Sequence, residues 1–485
     1  MATSELSSTT AASSGARLPA FTALAIAVAV LLIVTHGVSF LAAVLPPPRG
    51  AILDFFKEWA SARNRLAGVP VYAPQIDSLR RHLGMDLANP EGFFDAYNTH
   101  PPLSVVLALP IAGLNAHFAW KWISLGCLFA AVMLILRESS STPDASDEER
   151  AAHGSMPWLV LGLAGILVCD PLLQTLIQGQ PTLVIGLLLV LAWRADRHGQ
   201  SLQSGLWCGL ATLIKLYPGL LLVHFLVRRD GRGVLGFVAG IAAGTAISVA
   251  ALGWQAHVDY VLTVLPAVQD QRNNWGNVSV LAFWDRIFGA PTESILTWRA
   301  LPDWGRAMGL ISAVAIIGWS LWLTWKDRRD SETDRTVAVD RSFSALLIAM
   351  TLCAPLSWQH GFVLLLIPLA VLWRSLPERS WWRVGLVAAI LALWLPARWA
   401  WDVVIPAEPV VVTESASERT GPANLRGVRV ARPWQSLTAL SYQTYALIGG
   451  LLLLSSGVGR SRKFGSNDRA SNGQNLPEMP GMAGS

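Results

Sequence analysis

The chain has no two aspartates separated by a single residue, no glycine-rich phosphate loop, no zinc-ligand spacing and no nucleophile elbow. These absences argue against the metal clamp that nucleotide-bound substrates often need, against P-loop chemistry and against a serine nucleophile. Cysteine is sparse too: Cys127, Cys169, Cys208 and Cys353 are scattered, each inside an apolar run, and make neither a disulfide framework nor a metal set. Only 14% of residues are charged and no basic stripe is visible, so the net charge of +5 does not point to nucleic acid. It is what basic cytoplasmic loops accumulate. There is no internal repeat and the loop lengths are irregular, which weighs against transporters built from inverted repeats.

What the chain does have is apolar length. Hydrophobic residues make up 53% of it and the mean hydropathy is +0.43, the signature of an all-α polytopic membrane protein. Tryptophan is abundant, at 22 residues, and gathers near segment ends (Trp381 and Trp382, Trp399 and Trp401), which fits anchoring at the membrane interface. Residues 1–17 are rich in Ser, Thr and Ala and read as a disordered cytoplasmic terminus; residues 464–485 read as a disordered cytoplasmic tail. Between them, residues 18–463 read as one transmembrane domain. Its first apolar run, residues 21–45, is too long for a signal-peptide core and reads as an uncleaved helix.

Two long loops stand out, 46–100 and 253–303. The first carries two amphipathic patches, one beginning at Asp54 and one over residues 76–83. If Phe55, Trp59, Ala62 and Leu66 share a helical face, the first patch is a helix lying on the membrane with Asp54 at its N-terminal end. The segments around Arg194, Arg228, residues 326–341, residues 374–383 and residues 460–463 are rich in Arg and Lys and belong on the cytoplasmic side. That assignment is consistent if residues 101–114 form a half-inserted or surface helix. It yields about twelve crossings. Residues 181–193, 206–214 and 219–227 are short, each spanning about 15 to 20 Å against a hydrocarbon core of about 30 Å. Their ends place Gln180 and Lys215 within the outer leaflet.

Several polar residues gather at these outer ends, and each has a bland reading beside the functional one. Asp54 is either a catalytic carboxylate or a helix-terminal one paired with Lys57. Lys215, a lone cation on the side poor in Lys and Arg, either snorkels or binds an anion such as phosphate. His360, beyond the Pro355 break, is either a satisfied interfacial group or part of a site. Asn277 heads an Asn-x-Ser sequon in the second long loop, close to Asp285 and Arg286, a pattern also common by chance.

Taken in order, these residues resemble glycosyltransferase family 87. The resemblance rests on Asp54-Phe55-Phe56, Gly68-Val69-Pro70-Val71-Tyr72 and His100-Pro101-Pro102-Leu103 in the first loop. It continues through Gly179-Gln180, Ile214-Lys215-Leu216-Tyr217-Pro218, Asn277-Val278-Ser279 with Arg286, and Pro355-Leu356-Ser357-Trp358-Gln359-His360. The chain departs from the family pattern at Val278, where a second polar residue is usual, and at Asp170-Pro171, where Asn-Pro is frequent. These departures bear on the acceptor more than on the reaction.

The resemblance implies a GT-C-like bundle that uses a polyprenyl-phosphate sugar, mannose above all, as donor. It implies Asp54 as catalytic base, with Lys215, His360, Gln180, Asn277, Arg286, Tyr72 and His100 binding substrate and no metal or cofactor. The partners would be a lipid-linked sugar donor, a glycolipid or glycan acceptor and membrane lipids, without nucleic acid. The expected location is the bacterial inner (plasma) membrane, with the active site facing the periplasm or exterior. The competing class is a transporter or flippase of lipid-linked glycans, which would place ionisable residues at mid-membrane.

Overall fold

A computed structural model describes residues 20–45, 54–85, 96–113, 115–140, 164–268, 275–289, 303–329, 335–376, 381–405 and 431–456. The termini expected to be disordered, and most of the acidic segment that begins at Glu138, lie outside these residues. The chain divides into two units. One comprises Met1–Ala42 and Pro143–Cys169 and contains most of helix α1 (Ala20–Val44); the other comprises Ala43–Thr142 and Asp170–Ser485 and holds every candidate site residue.

The described residues are helical, with no strand among them and a single antiparallel bridge between Asn277 and Trp358. Six helices are long and apolar enough to cross a membrane, and eight are counted if each of two sharply bent pairs is one span. The chain is thus a multi-pass membrane protein. The expected count of about twelve is not reached among the described residues, because several apolar stretches fold as short pieces. Residues 102–111, for example, form the short helix α4 (Pro102–Ala108) and one 3-10 turn.

The amphipathic patches of the first loop are helices α2 (Phe55–Leu66) and α3 (Gln75–Leu83). The expected apolar face of α2 holds only in part, and it packs on protein. Phe55 and Ala62 are buried in a protein core with Val105, Ala108 and Trp120, whereas Leu66 is 62% exposed. The helix enters the fold because α4 and α5 (Ala116–Ser140) offer it an apolar wall; Phe55 stacks on Trp120 at 5.2 Å.

Helices α6 (Asp170–Gln178) and α7 (Thr182–Arg197) form a sharply bent pair, with 120° between them. Next come α8 (Ser201–Ile214), α9 (Leu221–Val227) and α10 (Gly231–Leu252). Asp230 caps α10 by accepting from the Gly233 amide at 3.0 Å. Glycines let α8 and α10 touch through their backbones: a Cβ on Gly205 would lie 2.0 Å from the Gly233 carbonyl oxygen, and one on Gly236 2.0 Å from that of Leu202. This contact holds the far end of α8, and with it Lys215, in a fixed position. The bundle continues with α11 (Val280–Gly289), α12 (Asp303–Arg329), α13 (Arg335–Cys353) and α14 (Leu366–Ser375), and the later helices Trp381–Trp394 and Tyr442–Ser455 add to its core. In α13 the apolar window is 67% buried, against 28% in α10, so α13 runs through the packed interior.

Where the C-terminal end of α7 meets the start of α8, in an Arg-rich segment, charges are paired. Asp196, fully buried, accepts from His224 (2.9 Å), Arg228 (2.5 Å) and Arg335 (3.3 Å). Glu138 accepts from Arg194 (2.8 Å) and His198 (3.0 Å), and Arg341 pairs with Asp327.

Candidate active site

Asp54 directly precedes α2, yet its side chain makes no capping hydrogen bond to its own helix. Its carboxylate is free for a longer-range partner: Gln180 Nε2 donates to Asp54 Oδ2 at 2.5 Å, across 126 positions of sequence. Gln180 also accepts, from Lys215 Nζ to its Oε1 at 2.7 Å. A single amide therefore sits between the carboxylate and the ammonium. Lys57, one turn into α2, approaches Asp54 Oδ1 more loosely at 3.7 Å, and the Asp54 side chain keeps 37% of its surface exposed.

Gln180 is delivered by the break between α6 and α7. Gly179 has φ +68°, a left-handed conformation that glycine adopts without strain, and a Cβ there would stand 2.6 Å from Phe55 Cβ. The turn thus packs directly on the residue after Asp54. Lys215 is placed by the end of α8, where the backbone leaves the helix in an extended conformation before a 3-10 turn at Tyr217. His360 begins a 3-10 segment (Gln359–Leu365), and its carbonyl accepts from Thr175 of α6 at 3.0 Å. Between Lys215, Tyr217, Thr351, Ser357 and His360 lies a small cleft.

The electrostatics follow from these neighbours. Desolvation pushes the Asp54 carboxyl up, but Lys57 and, less strongly, His360, His100 and Lys215 together pull it below its ordinary value. Burial lowers the Lys215 ammonium to about 8, against the opposing pull of Asp54 and Glu58. At neutral pH the site holds an ionised carboxylate and a protonated lysine joined through an amide.

His100 and Tyr72 lie on the α2 side of this network. His100 Nδ1 is hydrogen-bonded to Glu58, one turn beyond Asp54 on α2, and the His100 carbonyl accepts from the Tyr72 hydroxyl at 2.8 Å. Glu58 escaped the sequence reading. Its position four residues after Asp54 on one helix was the available signal.

Asn277 and Arg286 occupy a different setting. Asn277 Nδ2 donates to the Pro355 carbonyl at 2.8 Å, while its Oδ1 accepts from the Ser279 and Ser357 amides at 3.1 and 3.0 Å. Fully buried Arg286 donates to the carbonyls of Asn277 and Leu440. Asn277 thus ties the second long loop to the segment leading to His360, and Arg286 ties it to Leu440; these contacts run to backbone, while Asp54, Gln180 and Lys215 meet through side chains. Among the described residues, no group of three or more His, Cys, Asp or Glu could hold a metal ion.

The chain also has relatives among known proteins. The chain is similar to the polyprenol-phosphate-mannose-dependent alpha-(1-2)-phosphatidylinositol mannoside mannosyltransferase of Mycolicibacterium smegmatis, with 26% identity over 63% of this chain and 69% of that protein. It is similar also to the Mycobacterium tuberculosis protein of the same name, with 24% identity over 72% of this chain and 74% of the relative. No solved structure matches. The model of glycosyltransferase family 87 matches residues 98–355, more than half of the chain, and the chain therefore belongs to that glycosyltransferase family.

Proposed function

We propose that this glycosyltransferase moves a sugar, most simply mannose, from a polyprenyl-phosphate sugar to a lipid-linked or glycan acceptor by single displacement with inversion. The observation that carries the reading is the Asp54–Gln180–Lys215 chain, a base and a cation held close together by one neutral amide. The names of the two relatives support mannose as the sugar and a mannose-bearing phosphatidylinositol as the acceptor class. Family membership favours transfer over transport.

Asp54 removes the proton from an acceptor hydroxyl as the hydroxyl oxygen attacks the anomeric carbon. The bond from that carbon to the phosphate oxygen breaks, and the electron pair leaves on the lipid phosphate. One carboxylate suffices, because phosphate departs without protonation and needs charge stabilisation instead. Lys215 supplies it, with His360 at the same cleft, and the reaction so read uses no resident metal or cofactor. An ammonium held to Gln180 by one hydrogen bond has two further N–H donors to offer an anion. Asn277 and Arg286 serve the site by fixing the loop behind His360. The chemistry belongs on the outer face of the plasma membrane, where a flipped lipid-linked donor is present and nucleotide sugars are not.

The test uses reconstituted protein, radiolabelled polyprenyl-phosphate-mannose and a phosphatidylinositol mannoside. Inverted configuration in the product, with transfer by Asp54→Asn lowered about a thousandfold, is expected. Retained configuration, or normal turnover by that variant, would remove Asp54 as the base.

A further inference from the structure

His100 is held at three points. Its backbone amide donates to Asn98 Oδ1 at 3.1 Å, its carbonyl accepts from Tyr72, and its ring Nδ1 is hydrogen-bonded to Glu58. The clamp is itself built in: Asn98 is buried and donates to Ser61 of α2 at 3.1 Å, and Tyr72 packs on Tyr260 at 5.6 Å. Glu58 is 3% exposed and sits one turn beyond Asp54 on the same helix. Among the described residues nothing hydrogen-bonds His100 Nε2, and the ring keeps 13% of its surface. A carboxylate at Nδ1 makes that nitrogen the protonated one and leaves Nε2 as a hydrogen-bond acceptor.

We infer that Glu58 and His100 form a carboxylate–imidazole dyad whose Nε2 accepts a hydrogen bond from a hydroxyl of the sugar acceptor. His100 touches the substrate; Glu58 is a positioning residue that acts through it. Glu58 is near enough to Lys215 to act on it, and the sign of its charge is what suits its side to the sugar part of the acceptor. An anionic lipid phosphate is drawn to Lys215 and the cleft beside it and repelled by the carboxylate of Glu58, whereas the neutral hydroxyls of a sugar are not. The inference rests on the transfer reaction proposed above, and names the wall of that site that receives the acceptor.

The test separates the two ring nitrogens. Asparagine at position 100 carries its amide where Nδ1 lies, keeping the contact to Glu58 and losing Nε2, and it spares the fold. In reconstituted protein given polyprenyl-phosphate-mannose and a phosphatidylinositol mannoside, His100→Asn should raise the ratio of acceptor KM to donor KM about tenfold, the worth of one hydrogen bond. Glu58→Gln should raise the same ratio, and the double variant should be no worse than His100→Asn, because Glu58 acts only through the imidazole. An unchanged ratio in His100→Asn, or losses that multiply in the double variant, would overturn the dyad. If wild-type protein transferred no mannose at all, the donor reading would fail instead. Direct binding of the phosphatidylinositol mannoside to wild type and His100→Asn without donor would then decide the dyad, equal affinities overturning it and about tenfold weaker binding by the variant supporting it.

Discussion

The two ends of α7 solve the problem of buried charge in opposite ways. At its C-terminal end Asp196 is fully buried and meets His224, Arg228 and Arg335 directly, so opposite charges cancel in place. At its N-terminal end the carboxylate of Asp54 and the ammonium of Lys215 are joined through the amide of Gln180. A direct ion pair would satisfy both charges and leave little for a substrate. The amide spacer keeps a carboxylate with basic lone pairs and a cation with spare donors, the state a reactive site needs. One end of the helix therefore pairs its charges directly, and the other, on the proposed function, keeps them available for chemistry.

Breaking the first end should cost most. Asp196→Ala leaves the buried His224 and the mostly buried Arg228 without their carboxylate, while the half-exposed Arg335 can turn to water, and should destabilise the protein by about 3–5 kcal/mol. Thermal unfolding in detergent micelles measures this; a wild-type melting temperature would deny the cluster its structural role. Making the second end resemble the first comes next. Gln180→Glu places a carboxylate between Asp54 and Lys215, capturing the lysine and raising the basicity of the wrong group. Transfer should fall about a hundredfold with little change in melting temperature, as turnover and unfolding together would reveal.

The geometry of the spacer offers a smaller perturbation. Gly179→Ala puts a Cβ at a left-handed position, against Phe55, and should cost about 1–3 kcal/mol of stability together with lower turnover. Equal activity and stability would show that the turn can relax. The smallest effect is a pH dependence. Lys215 is lowered to about 8, so its ammonium is present below that pH and lost above it. Donor KM should therefore rise, by up to about tenfold, as pH increases through about 8. Lys215→Arg keeps its charge over that range and should flatten the rise. Asp54, held below its ordinary value, stays ionised throughout and adds no limb near neutrality.

Much of this was legible in the sequence, for definite reasons. The helix from Ala20 and the helices beginning at Phe55 and Gln75 follow from apolar length and helical periodicity, which are local properties. Gln180 and Lys215 were visible as polar residues at the ends of short apolar runs. Glu58 was not, because its meaning depends on His100, 42 positions away. The direction of the apolar face of α2 was also hidden. Periodicity reports that a helix has such a face, but lipid and protein are equally apolar partners for it. The pairing of the Arg-rich segments was hidden too, because their carboxylate partners, Asp196, Glu138 and Asp327, lie elsewhere in the chain or inside the same helices.

The sequence by itself determined that the chain is a helical membrane protein, where its main helices begin, and which polar residues interrupt them. All of that is set by hydropathy and spacing along the chain. Only the tertiary structure decided which of those polar residues belong together. It brought Asp54, Gln180 and Lys215 into one hydrogen-bonded line while assigning Asn277 and Arg286 to the backbone of a loop. The physical reason is that a hydrogen bond requires a partner within about 3 Å, and packing alone supplies that across more than a hundred residues.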